Sequence, residues 1–215
     1  MAKAPDWYRS PRWDLDAQAD FEARLRRARP QSRPQYIWLK ACAVEPERPE
    51  IAELLLERVL REYPEDFHAA ASEERLGDLL LRRGQVANAE RAYKNVLAKG
   101  GGISPSATSG AVNISLAELL LDVPGREREV LEQLDLLKPP SSPLKLNYHQ
   151  FRWERVLAVV SARLGETETS QKAASRALAL VTAPDQFARH KGVGRVVASD
   201  AVLRELERLA GSQSK

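Results

Sequence analysis

The chain has 215 residues, 43% of them apolar and 29% charged, with a formal net charge of +3. That length suits one domain or a short solenoid, and the composition is that of a globular chain, not a disordered one. A single cysteine, Cys42, excludes a disulfide framework and fits a reducing compartment. No apolar run approaches the ~18 residues a membrane span needs, and the opening MAKAPDWYRSPRWD lacks the apolar centre of a signal peptide. The expected location is therefore cytoplasmic, with no membrane contact.

The charge is segregated. Residues 1–40 hold nine Lys/Arg against five Asp/Glu, residues 41–140 twelve against eighteen, and residues 141–215 twelve against seven. The ends are basic and the middle acidic, whereas a nucleic-acid binder usually gathers one basic face. Self-complementarity along the chain is the plainer explanation; a polyanion partner for the basic ends is the alternative.

In chain order, residues 6–13 (DWYRSPRW) are aromatic-rich and interrupted by Pro11, so they are extended or turned. Trp7, Tyr8 and Trp13 could form a stacking platform, but more often such rings cover the exposed end of a helical array. Asp14 or Asp16 can cap a helix running to about Arg29, with Leu15, Phe21, Leu25 and Ala28 inward. The arginines at 24, 26, 27, 29 and 33 read as a solvated face. Over residues 33–66, two apolar helical patterns are separated by Pro46 and Pro49, and Pro64 ends the second.

Residues 75–99 carry the sharpest pattern. Leu76, Leu79 and Leu80 precede Gly84, and Val86, Ala89, Tyr93 and Val96 follow it, all at helical spacing. Gly84 takes positive φ without a Cβ clash, so two amphipathic helices meet at a short turn and pack antiparallel. Residues 100–110 (GGGISPSATSG) read as a linker; no strand precedes them and no Gly-Lys-Ser/Thr follows, which argues against a phosphate loop. A third pair spans roughly 111–121 and 126–137, turned at Val123-Pro124-Gly125, before Pro139, Pro140 and Pro143. A fourth runs from about Leu146 to Pro184, with Leu164-Gly165 at its turn. A last helix, about Ser199–Leu209, presents Val202, Leu203, Leu206 and Leu209 as a closing cap. Lys191-Gly192-Val193-Gly194-Arg195 has the look of an anion loop, though a turn between helices is the ordinary reading.

The segment around Gly84 resembles the tetratricopeptide repeat (TPR), a 34-residue helical hairpin marked by Leu-Gly, a large residue three on, then Ala and an aromatic. Leu76-Gly77, Leu80, Gly84, Ala89 and Tyr93 occupy those places. Glu73 stands where the family has an aromatic, and the Gly100-Gly101-Gly102 run replaces the closing Pro. In 33–66, Tyr36, Leu39, Ala52, Leu56, Val59 and Pro64 match by spacing, with Leu39-Lys40 in place of Leu-Gly. The later pairs match as apolar patterns. The resemblance implies an all-α, TPR-like right-handed solenoid of antiparallel hairpins with extra N- and C-terminal helices. Its expected parts are an N-terminal aromatic segment and capping helix (1–32), hairpins at 33–66, 70–103, 110–138 and 146–184, and a C-terminal capping helix and tail (185–215).

Catalysis has little to stand on. His68, His149 and His190 show no metal-ligand spacing, and neither a serine elbow, a Walker loop nor a kinase signature is present. The resemblance instead implies a non-enzymatic adaptor, without cofactor, that grips a peptide or protein segment in a groove lined by the first helix of each hairpin. Nucleic-acid or polyanion binding is the alternative, and a regulatory enzyme subunit the third.

The groove positions can be named. Between Asn147 and Leu164, Trp153, Leu157, Val160 and Leu164 form one apolar stripe, and His149, Arg152, Arg155, Val159 and Arg163 a second beside it. By the TPR register, Arg152, Arg155 and Arg163 line the groove, as do Glu74, Asp78 and Arg82 in the second unit and Glu118 and Asp122 in the third. Such a groove suits a partner of mixed charge, or one whose carboxylate the arginines anchor. The plainer alternative is that these arginines pair with acids of the chain itself.

Overall fold

The computed structural model describes residues 6–99, 108–137 and 144–211. It is 70% helix, without strands among the described residues, and its ten α-helices pack in neighbouring pairs. They are α1 (Leu15–Arg27), α2 (Arg33–Val44), α3 (Pro49–Glu62), α4 (Phe67–Arg82), α5 (Val86–Ala98), α6 (Val112–Leu121), α7 (Glu127–Asp135), α8 (Asn147–Arg163), α9 (Thr167–Val181) and α10 (Asp200–Leu209). The all-α expectation stands. None of the described helices is long and apolar enough to cross a membrane. The chain divides into two compact units, residues 1–109 and 110–215. The Gly100–Gly102 run and Pro139, Pro140 and Pro143 lie outside the described residues.

In the first unit, local chemistry sets the helix ends. Asp14 accepts from the Ala17 amide (2.9 Å) and caps α1, which buries Phe21 and Leu25. Pro49 opens α3, where its missing N–H costs nothing. Asp66 caps α4 by accepting from the His68 amide. At the end of α4, Gly84 turns with φ +73°, while the Gln85 amide donates to Leu80 O (2.9 Å) and the Gly84 amide to Leu81 O (2.9 Å). That pair of bonds is the Schellman arrangement, and it satisfies carbonyls that the helix end leaves open. The same arrangement closes α8 at Gly165, with Glu166 N donating to Ser161 O and Gly165 N to Ala162 O.

The α4–α5 hairpin is tight because Gly77 lacks a side chain. A Cβ there would lie 2.7 Å from Tyr93 Cε1, closer than van der Waals contact allows. Tyr93 is almost wholly buried, and its hydroxyl donates to Asp78 Oδ1 (2.7 Å), so the ring has no room to retreat. Leu76, Leu79, Leu80, Ala89, Tyr93 and Val96 are buried as their spacing predicts. Val86 is exposed, because it sits in the first turn of α5 beside the loop.

In the second unit, α6 is mostly apolar and buried everywhere but at Glu118, and its buried polar groups have partners: Asn113 Nδ2 donates to Gln133 Oε1 (3.0 Å) and Ser115 Oγ accepts from Arg152. Trp153 of α8 is buried and donates its indole N–H to Leu134 O (3.0 Å). Small residues let α8 and α9 approach: Ala158 packs against Ala173, Ala174 and Ala177, and Ser170 Oγ donates to Ala158 O (2.8 Å). The α10 helix closes this cluster with Leu206, supported by Val202 and Leu209.

These faces predict a stability contrast. Ala89 is fully buried and Ala87 exposed, so Ala89→Leu should cost on the order of 1–3 kcal/mol in a urea melt and Ala87→Leu much less. Gly77→Ala should also destabilise, because the added methyl meets Tyr93. Equal midpoints for the two alanine variants would contradict the assignment of faces.

Candidate functional site

The first unit holds an open cleft of about 390 Å³ between α2 and α4, lined by Trp38, Phe67, His68, Ala71, Glu74, Arg75 and Asp78, with Thr108 and Ser109 at its edge. The helix spacing of α4 (67, 71, 74, 75, 78) puts one continuous face of that helix into it. Three rings make one end: Trp38 and His68 have centroids 6.0 Å apart, and Phe67 and His68 5.3 Å. His68 Nδ1 lies 2.9 Å from Asp66 Oδ1, which fixes the ring. Carboxylates mark the other end. Glu74 accepts from the Ser109 amide (2.8 Å) and hydroxyl, and Asp78 from Tyr93. Arg75 Nε donates to Glu45 Oε2 (2.5 Å), and Arg82 donates to the other oxygen of Glu45. The Trp38 indole N–H is buried without an acceptor.

Of the positions the TPR register marks in this unit, Glu74 and Asp78 thus line one cleft, while Arg82 stands over Glu45. Trp38, Phe67 and His68 were not marked by the register. One signal for Trp38 exists in the sequence: Trp38, Cys42 and Glu45 share a helix face that the core positions Ile37, Ala41 and Val44 leave unexplained. Cys42 is half-buried, and burial raises its thiol pKa, so it is a poor nucleophile.

The register's three arginines and Glu118 in the second unit find partners within that unit. Arg152 Nε donates to both oxygens of Glu118 (3.0 and 3.2 Å), and Nη2 donates to Glu118 Oε2 (2.5 Å) and Ser115 Oγ (3.0 Å). Its guanidinium also lies 5.6 Å from the Tyr148 ring centroid. Arg155 reaches Glu205 at 3.8 Å, and its Nε is buried without an acceptor. Arg163 donates to the Leu121 carbonyl at the end of α6 and, with Val159, Ala162, Glu205, Arg208 and Leu209, lines a cleft of about 340 Å³ between α8 and α10. Asp122 is exposed just beyond α6. His149 is half-buried; burial first, and the Arg152 charge second, lower its pKa from 6.5.

The N-terminal rings pack inward. Trp7 meets Phe21 and Tyr36 at 5.3 and 5.1 Å between centroids, Tyr8 stacks on Tyr36 at 4.7 Å, and Trp13 meets Phe21 at 5.6 Å. Lys40, only 1% exposed, is the pin. Its ammonium donates to Ser10 O (2.7 Å) and Arg12 O (2.9 Å) and lies 5.3 Å from the Trp13 centroid. Burial lowers its pKa. Towards the C-terminus, the Gly192 amide donates to Asp185 Oδ1 (3.1 Å), so a carboxylate of the chain itself occupies that part of the Gly-Val-Gly turn.

Among the described residues, no group of three or more His, Cys, Asp or Glu could hold a metal ion. Compared with known proteins, the chain matches no family model, no curated protein and no solved structure. The first unit thus gathers aromatic faces and oriented carboxylates around an open cleft, and the second pairs its arginines with acids and a carbonyl of the same unit.

Burial and the Arg152 charge favour the neutral form of His149. Its folded pKa lies below the unfolded 6.5, so the unfolded chain takes up the proton first as pH falls. The stability it contributes is complete above that value and is lost progressively below it. Chemical denaturation between about pH 7 and pH 5 should show a smaller loss for His149→Gln than for the parent. Equal losses would remove His149 from the account.

Proposed function

We propose that the helix pairs are degenerate TPR-like repeats and that the protein is a non-enzymatic interaction module, an adaptor or scaffold, that grips an extended protein segment. The observation that carries this reading is the cleft of the first unit. It is open to solvent, it is walled by the first helices of two consecutive hairpins, and it combines rings with oriented carboxylates. Phe67, on its rim, is 53% exposed and serves no core. Large apolar rings at a polar cleft are the usual anchors of protein recognition. The close α4–α5 contact at Gly77 and the buried Ala89 also fit the small-residue places of the TPR hairpin.

One observation favours the polyanion alternative. Arg189, His190, Lys191 and Arg195 are all exposed on the segment between α9 and α10. A phosphate-rich partner bound there would show a steep salt dependence, since each neutralised phosphate releases counterions.

Display of random peptides against the whole immobilised protein tests the reading. The expected result is enrichment of a peptide whose micromolar binding by calorimetry is lost in Phe67→Ala and changes little with salt. Failure to enrich any peptide, together with salt-steep binding of single-stranded DNA or heparin, would overturn it.

A further inference from the structure

We infer that the cleft of the first unit selects a segment presenting a lysine or arginine side chain. This rests on the reading of that cleft as the binding site and gives its occupant a charge. The sign is opposite to that of a carboxylate anchored by arginines.

Three observations converge. The first is the electrostatic balance. Four carboxylates, Glu45, Asp66, Glu74 and Asp78, stand in or beside the cleft against two guanidinium groups, Arg75 and Arg82. Both guanidinium groups donate to the same Glu45, so the pair of cations is partly offset where it stands. The remaining field in the cleft is negative, and a concave surface focuses it.

The second is the order of groups along the cleft. Phe67, His68 and Trp38 form a connected set of rings at one end; along the same face of α4, Glu74 lies about two helical turns and Asp78 about three turns from Phe67, or about 10 and 16 Å. That span suits an extended segment that lays an apolar group on the rings and sets a neighbouring lysine or arginine head beside a carboxylate.

The third is that Asp78 is aimed by the fold. Its Oδ1 accepts from the buried Tyr93 hydroxyl, which orients the carboxylate from behind and leaves Oδ2 for another donor. An acidic ligand would face this oxygen, and the nearby cations, Arg75 and Arg82, are both already joined to Glu45.

The test uses the full-length chain labelled with ¹⁵N and three defined probes at millimolar concentration: acetyl-Ala-Arg-Ala-amide, acetyl-Ala-Lys-Ala-amide and acetyl-Ala-Glu-Ala-amide. Both cationic peptides should shift the Trp38 indole resonance and the backbone amides of Phe67, His68 and Asp78 in a saturable way. The glutamate peptide should leave them in place. Asp78→Asn keeps an acceptor for Tyr93 and removes the charge, so it should retain the parent's helical spectrum while weakening the arginine peptide roughly three- to tenfold. Phe67→Ala, a change at an exposed ring, should weaken it comparably. The inference is overturned if the glutamate peptide shifts these resonances as strongly, if neither cationic peptide shifts them, or if Asp78→Asn binds as the parent does. If display still yields peptides that need Phe67 but carry acids, the interaction module stands and only the charge assignment falls. If display yields none as well, both fall.

Discussion

The place where α4 and α5 touch admits no side chain. Gly77 faces the Tyr93 ring so closely that a methyl group would come within 2.7 Å of Cε1, and Tyr93 is held by full burial and by its bond to Asp78. This one contact joins packing to chemistry. It sets the spacing of the hairpin, and the same tyrosine turns the Asp78 carboxylate on the cleft face of α4. A glycine inside a helix weakens it by roughly 1 kcal/mol relative to alanine, and close packing of the two helices is the return for that cost.

Charge in this chain is largely committed to its own scaffold. Arg58 bridges Glu22 of α1 and Glu62 of its own helix, Arg176 of α9 pairs with Glu154 of α8, and Arg152 joins α8 to Glu118 of α6. Each of these ties two helices within a unit. Lys40 differs, a buried cation held by carbonyls and rings without a carboxylate in contact. Removing a charge from water is costly, and hydrogen bonds from the ammonium to Ser10 and Arg12 carbonyls recover part of that cost. Lys40 thereby fastens the N-terminal segment across α2 alongside the ring contacts of Trp7 and Tyr8 with Tyr36.

The helices were legible because their signals are local. Asp14, Pro49, Gly84 and Gly165 each act within one turn of chain, and apolar periodicity carries the rest, so predicted and observed ends agree to within a few residues at α5, α6, α8 and α10. The inward set around Gly84 was legible too, save Val86. What periodicity does not encode is pairing between helices. Nothing local at Arg152 points to Glu118 and Ser115, thirty-four and thirty-seven residues away. Lys40 was hidden for a related reason: lysine in a helix reads as solvated, and only the returning strap of residues 10–12 makes its burial tolerable. Glu74 and Asp78 were singled out by the TPR register, but Trp38 and His68, which complete the cleft with them, come from two helices whose mutual approach is a tertiary fact.

If the Gly77–Tyr93 contact is the point on which the first unit is built, its surroundings must open last. Native-state hydrogen exchange measures this directly, because amides that open only with global unfolding report the most stable unit of structure. The account predicts that the amides of residues 77–80 and 93–96 exchange most slowly in the first unit, well behind those of α1. Exchange at these amides as fast as in α1 would contradict it.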